Sequence, residues 1–180
     1  ISSDAVYKDS SKPINENSLV EPDSLHGLMH MTREKILKST YGNKLCILRP
    51  TLIYGKNDPH NGYGPNKFVR NAVNKSNIQL FGKGEEKRDH VWVEDVAEIT
   101  VLCIVKNITQ ILNVTSGNIL TFKEIAKMIK KKFGSKINII ENKRIGPMPH
   151  NGYREFDNKR INLVFRSFKF NSLKNWIQNL

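Results

Sequence analysis

His26 and His30 are the residues whose type and spacing most directly suggest chemistry. Four positions apart, they fall on one side of a helix about one turn from each other. An imidazole exchanges a proton near neutral pH, so His26 is chemically able to do acid/base work. His30 is the weaker partner: a neutral ring donates one hydrogen bond, but it lacks the fixed charge and reach of a lysine, and two protonated rings would repel each other. Two other readings of the pair are a metal site extended by Glu34 and simple surface histidines. Ligands at i, i+4 and i+8 span about 12 Å along a helix, too far to close on one ion, so no metal site is expected.

The elements that must position this pair alternate in type. Residues 23–39 read as a helix, with Leu25, Leu28, Met29, Thr32, Ile36 and Leu37 near one broad face. The continuous apolar run in 44–49 reads as a strand buried on both sides, ended by Pro50. A long loop follows over 51–64, containing Tyr54, Gly55, Asp58, Pro59, Asn61 and Gly62, of the kind on which α/β folds place ligand contacts. Beyond it the pattern predicts a helix over 66–74, short extended segments over 78–81 and 90–93, a helix over 95–106 and a strand over 111–114. Thr121 followed by Glu124 is a capping box that opens a helix with the apolar stripe Phe122, Ile125, Met128, Ile129 and Phe133. A strand over 137–140 and a last helix over 171–180 complete an α/β order.

Length and composition set bounds around these elements. The 180 residues are 38% hydrophobic and 26% charged, with a net charge of +12 at neutral pH, a globular composition with enough chain for one sizeable core. The last third carries most of the excess: residues 121–180 hold 14 basic and 4 acidic side chains. Phosphate-bearing small ligands, nucleic acid and anionic surfaces are all compatible with such a balance. Lys130, Lys131, Lys132 and Lys136 have no zinc-finger or RNA-binding signature beside them and read as solvated helical lysines, so nucleic acid is not expected as a partner. The apolar runs are too short for a membrane span, and Cys46 and Cys103 do not suggest a disulfide framework. A reducing, cytoplasmic setting is the expectation.

Four segments carry a more specific pattern. They are Ser2-Ser3-Asp4-Ala5-Val6-Tyr7, then Leu48-Arg49-Pro50-Thr51-Leu52-Ile53-Tyr54-Gly55, then 81–97 around Arg88-Asp89-His90, and finally Asn113-Val114-Thr115-Ser116-Gly117. In this order and spacing they resemble the extended short-chain dehydrogenase/reductase family, the NAD-dependent nucleotide-sugar epimerases and dehydratases. The resemblance runs the length of the chain. It implies the C-terminal portion of a Rossmann-like parallel sheet with a smaller substrate-binding region, residues 1–180 forming that portion of one domain. The glycine-rich phosphate loop of the family's N-terminal half has no counterpart among the 11 glycines. The expectation is therefore that the cofactor-binding half is absent and supplied covalently or by a separate chain, and that the exposed sheet edge favours homo-oligomers. NAD or NADP is implied for the complete protein, with none expected for these residues alone.

The resemblance also implies site residues. Ser3 matches the Ser that steadies the substrate oxygen. The family's Tyr, which exchanges the proton accompanying hydride transfer, falls on His26. Its Lys, which tunes the Tyr and holds the nicotinamide ribose, falls on His30. Pro50 and Thr51 lie where the family shapes its nicotinamide site, and Tyr54 and Asn66 where it contacts the sugar. Arg88 and Arg154 match arginines that reach the diphosphate, for which a guanidinium offers paired donors. Ion pairs are the structural alternatives, Arg88 with Asp89 or Glu94 and Arg154 with Glu155 or Asp157. Asp95 is expected to anchor a turn or cap its helix, and Trp92 and Trp176 to be core aromatics.

Two functions follow as expectations. One is NAD(P)-dependent epimerisation, dehydration or reduction of a nucleotide-diphosphate sugar. The other, prompted by histidines at the Tyr and Lys positions, is a catalytically degenerate module that binds a nucleotide sugar or a protein partner.

Overall fold

The computed structural model describes residues 1–58, 62–134 and 136–180. It is an α/β fold whose strands form small, mainly parallel pairs. β1 (Ile47–Pro50) lies parallel to β5 (Ile111–Val114), β2 (Leu52–Tyr54) parallel to β4 (Lys87–Trp92), and β3 (Ile78–Phe81) parallel to β7 (Ile139–Asn142). β6 (Ile119–Thr121) joins β4 on its other side, antiparallel. The helices are α1 (Leu25–Tyr41), α2 (Pro65–Val73), α3 (Val93–Val105), α4 (Phe122–Phe133), α5 (Lys159–Val164) and α6 (Leu173–Gln178). None of the described helices is long and apolar enough to cross a membrane.

Two apolar clusters lie on either side of β4. One gathers Leu48 of β1, Leu112 and Val114 of β5, Val96, Ile99 and Cys103 of α3, and Ile161 of α5. The other gathers Ile78 and Leu80 of β3, Phe68 of α2, Phe122, Ile125 and Ile129 of α4, and Leu173 and Ile177 of α6. Val91 of β4 belongs to the first, and its neighbour Trp92 packs against the second. Adjacent β4 residues point to opposite faces, so one strand seats both cores. Trp176 also packs in the second cluster, and both tryptophans are core aromatics as expected.

Most predicted elements form, with informative departures. Thr121 and Glu124 close the capping box on α4: Thr121 Oγ1 accepts from the Glu124 amide at 3.1 Å, and Glu124 Oε2 accepts from the Thr121 amide at 2.7 Å. α1 begins at Leu25, with Ser24 as its cap, and runs on to Tyr41. Its apolar face is turned outward; Leu25 and Met29 are 79% and 72% exposed, and the buried positions are Gly27 and Glu34. The expected loop at 51–64 contains β2, whose pairing with β4 outweighs its brevity; Pro59 and Asn61, expected in the same loop, lie outside the described residues. α3 starts at Val93, two residues earlier than expected. Asp95 does not cap this helix. It accepts from the amide and side chain of Asn171 at 2.8 and 2.7 Å, anchoring the approach to α6.

Candidate active site

The Ser3 turn is built by its own sequence. Ser3 caps a 3-10 turn at Asp4–Val6, its Oγ accepting from the Ala5 amide at 3.2 Å and donating to Asp4 Oδ1 at 3.3 Å. The Ser2 amide donates to the Leu48 carbonyl at 2.7 Å, seating the turn beside β1. α1 is fixed against the turn at two points. At Gly27 a β-carbon would stand 2.1 Å from the Ala5 carbonyl oxygen, an approach only glycine permits. One face further along, the buried Glu34 accepts from Ser2 Oγ at 2.6 Å and from Arg49 Nε and Nη2 at 2.8 and 2.5 Å. Arg49, on β1, also lies over the Tyr7 ring, whose hydroxyl donates to Asn113 Oδ1 on β5. Ser2, Glu34, Arg49, Tyr7 and Asn113 thus lock the Ser3 turn, α1 and the central strands together.

The two histidine rings meet edge to face, centroids 4.6 Å apart. The Arg33 guanidinium stands 2.7 Å from His30 Nδ1, and because guanidinium only donates, Nδ1 is the acceptor. Burial first, then the charges of Arg33 and His26, hold the His30 pKa below its ordinary value. His30 is therefore held neutral, and the fixed positive charge beside it comes from Arg33. Arg33 was missed in the sequence; its position three residues after His30 on the same helix was the available signal.

A cleft of about 320 Å³ opens at the Ser3 turn. Of the residues named from sequence, Thr51, Arg88 and Arg154 line it, whereas His26, His30, Pro50, Tyr54 and Asn66 do not. Ser3 adjoins the lining through Asp4 and Ala5. Thr51 stands just beyond β1 and donates from Oγ1 to Asp89 Oδ1 at 2.8 Å. Asp89 also accepts from the amides of Ser116 and Gly117 at 2.9 and 2.6 Å, so it organises the turn after β5. Tyr54 is buried in the second core, where it donates to the Asn171 carbonyl at 3.1 Å and packs on Trp176. Asn66 accepts from the Gly55 amide at 3.0 Å and donates to Asp58 at 2.7 Å, bracing the loop before α2.

Both arginines are buried, with ion-pair partners other than those expected. Arg88 pairs with Glu86 at 3.3 Å and donates to the Lys87 and Pro149 carbonyls at 2.7 and 3.1 Å. Burial lowers its pKa from the usual arginine value, but a guanidinium remains charged. Arg154 pairs with Asp4 and Asp9, each at 3.5 Å, and donates to the Tyr7 carbonyl at 2.5 Å. Burial raises the Asp4 pKa, and Arg154 is the strongest opposing influence. Two desolvated cations, anchored by backbone carbonyls and carboxylates, put fixed positive charge in the wall of an open cleft, where it favours an anionic ligand. No group of three or more His, Cys, Asp or Glu among the described residues could hold a metal ion.

Comparison with known proteins gives the family and the fold. The family model described as the NAD dependent epimerase/dehydratase family matches residues 1–115. The chain belongs to this family. A Methanocaldococcus jannaschii protein named as a candidate UDP-glucose 4-epimerase is 30% identical over 128 residues, covering 68% of this chain and 41% of the relative. A UDP-N-acetyl-alpha-D-glucosaminuronate decarboxylase of Bacillus cytotoxicus is 26% identical over 145 residues, covering 77% of this chain and 44% of that protein. Among solved structures, a UDP-glucuronic acid 4-epimerase from Bacillus cereus, in complex with UDP-glucuronic acid and NAD, superposes with a TM-score of 0.84 at 20% identity. That superposition covers 98% of this chain and 57% of the other, establishing the epimerase/dehydratase fold, Rossmann-like and partial, over nearly every residue. The chain spans about half the length of the curated relatives it matches.

Proposed function

We propose that the cleft binds a nucleotide-diphosphate sugar, with Arg88 and Arg154 on the diphosphate and the sugar directed toward Ser3, as part of an enzyme that epimerises, dehydrates or reduces that sugar with NAD or NADP. The observation that carries this reading is the burial of two arginines on separate elements, β4 and the 153–156 segment, beside one cleft that opens at the Ser3 turn. Ser3 orients the reacting hydroxyl. His26 takes or returns its proton. His30 contacts the ribose, and Arg33 supplies the charge that His30 lacks.

In this reading His30, Pro50 and Thr51 serve the nicotinamide end of a dinucleotide; of the three, Thr51 lines the cleft. The pyrophosphate is cradled by a G-x-G-x-x-G run at a strand-to-helix turn, and the 180 residues contain no complete one: Gly62-Tyr63-Gly64 before α2 is followed by Pro65 and, at the third glycine position, by Lys67. In this reading a dinucleotide-binding half completes the site, joined covalently or as a separate chain, and the bound dinucleotide supplies the hydride acceptor. A second reading, a nucleotide-sugar-binding or protein-interaction module without turnover, is favoured by the pairing of His30 Nδ1 with Arg33, which leaves that ring an acceptor where the family uses a cationic donor.

Calorimetry with UDP-sugars tests the assignment. Arg88→Ala removes charge-assisted contacts of about 1.5–3 kcal/mol, so affinity should fall roughly 10- to 100-fold. Glu86 keeps Arg144 as a partner at 2.6 Å, so the variant is expected to remain folded. Unchanged affinity would remove Arg88 from the diphosphate site. Binding by the natural protein without cofactor reduction or product would favour the module.

A further inference from the structure

The cleft that holds Arg88 and Arg154 is also lined by Asp4, Asp9, Asp23 and Asp89, an acidic wall that diphosphate recognition does not use. Asp89 is consumed by its hydrogen bonds to Thr51, Ser116 and Gly117, and Asp23 is exposed. Asp4 and Asp9 differ from these: both face Arg154 at 3.5 Å, and Asp9 also meets His150 Nδ1 at 2.6 Å. Arg154 is 5% exposed, and its Nε makes no hydrogen bond, leaving a donor held inside the cleft wall without a short partner. A diphosphate engaging Arg154 would draw it from Asp4. The carboxylate next in sequence to Ser3 would then face the sugar with its main counter-charge diverted.

Resting on the diphosphate reading above, we infer that Asp4 is a specificity residue that admits hexoses with a neutral or amino substituent and rejects uronic acids. A carboxylate on the sugar would meet Asp4 at close range in a partly desolvated cleft, where like charges oppose binding strongly. A hydroxyl or ammonium there would instead donate to it. Burial pushes the Asp4 pKa up against the opposing influence of Arg154, His150, the Ser3 hydroxyl and Arg88, so a second carboxylate would have to be accommodated by proton uptake, and the discrimination should weaken as pH falls.

The test compares UDP, UDP-glucose and UDP-glucuronate by calorimetry on the full chain at pH 7.5 and pH 5.5. UDP and UDP-glucose should bind, and UDP-glucuronate should bind about tenfold or more weakly at pH 7.5, with a smaller ratio at pH 5.5. Asp4→Asn should bring the two sugars to within about threefold while UDP binds at least as tightly as before. If UDP itself does not bind, the diphosphate reading fails and this inference falls with it. If UDP binds but the wild-type chain holds glucose and glucuronate forms equally, the inference alone is wrong. That wild-type comparison decides the matter even if Asp4→Asn does not fold, and a ratio that does not change with pH would assign the discrimination to something other than Asp4.

Discussion

His90 sits between Asp89 and Val91 on β4, completely buried and edge-on to Phe122, and neither ring nitrogen has a hydrogen-bond partner. Burial depresses its pKa to about 4. The folded state therefore resists protonation while the unfolded chain accepts a proton at about 6.5. Above pH 6.5 the ring is neutral in both states and folding loses nothing; as pH falls from 6.5 to 4 the unfolded state gains protons and stability declines, by roughly 3 kcal/mol in all. His90→Phe removes this linkage and the unsatisfied nitrogens while keeping the ring against Phe122. Urea unfolding should show the variant more stable than the parent at pH 7, by about 1 kcal/mol or more, with the gap widening toward pH 5. A gap that stays constant across this range would mean that His90 is solvated or paired in the native protein.

At the scale of elements, α1 shows how a helix can be positioned without burying its apolar stripe. Its contacts with the Ser3 turn are a glycine and a carboxylate, so Gly27 is the position where a small change should move the candidate site. Alanine would raise helix propensity by up to about 1 kcal/mol, but its β-carbon would collide with the Ala5 carbonyl and with Pro22. The nearest atom is backbone and cannot swing away, so the clash prevails over the propensity gain. Gly27→Ala should cost about 1–3 kcal/mol in thermal or urea unfolding, an overpacking penalty. No change in stability would show that α1 does not approach the turn this closely.

The same helix marks the limit of what the sequence disclosed. Its existence was legible from periodicity, but which face packs was not, because Glu34 is buried through pairing with Ser2 and with Arg49, 15 residues further along the chain. α4 and β5 were legible because a capping box and an apolar run are local signals. β2 and β6 were not, because three-residue strands have too few alternations to show a period and form through partners elsewhere in the chain; α5 was not read either, although α6, equally six residues long, was. In the candidate site, the family resemblance pointed to Arg88 and Arg154, and both line the cleft. The aspartates around them carry no spacing pattern, and their convergence from Asp4, Asp9 and Asp89 appears only in three dimensions.

Across the whole molecule, part of the strong positive charge is spent internally. Arg144 is tied to Glu86 and the Phe81 carbonyl, and Arg160 to Glu16 and the Ile111 carbonyl, so two basic residues of the last third brace the fold. In the proposed reading anion recognition falls to the cleft, and there the two halves of the proposed reaction make different demands. In that reading the diphosphate of a nucleotide sugar is held by Arg88 and Arg154, which line the cleft. A dinucleotide needs amides presented by a glycine-rich turn at a helix N-terminus, which the 180 residues do not supply. α2 illustrates the difference: Gly62 and Gly64 precede it in a G-x-G spacing, but Pro65 at its first position removes an amide, and Lys67 stands where the third glycine of a G-x-G-x-x-G run would fall. The 180 residues by themselves should therefore bind UDP measurably in calorimetry while showing no saturable binding of NAD(H) or NADP(H), by calorimetry or by nicotinamide fluorescence, at concentrations up to about 1 mM, where a ΔG of only about −4 kcal/mol would suffice for half-saturation. Supplying the dinucleotide-binding half should restore cofactor binding. Stoichiometric binding of either dinucleotide by the isolated, monomeric 180-residue chain would show that a phosphate cradle exists within it that does not depend on clustered glycines.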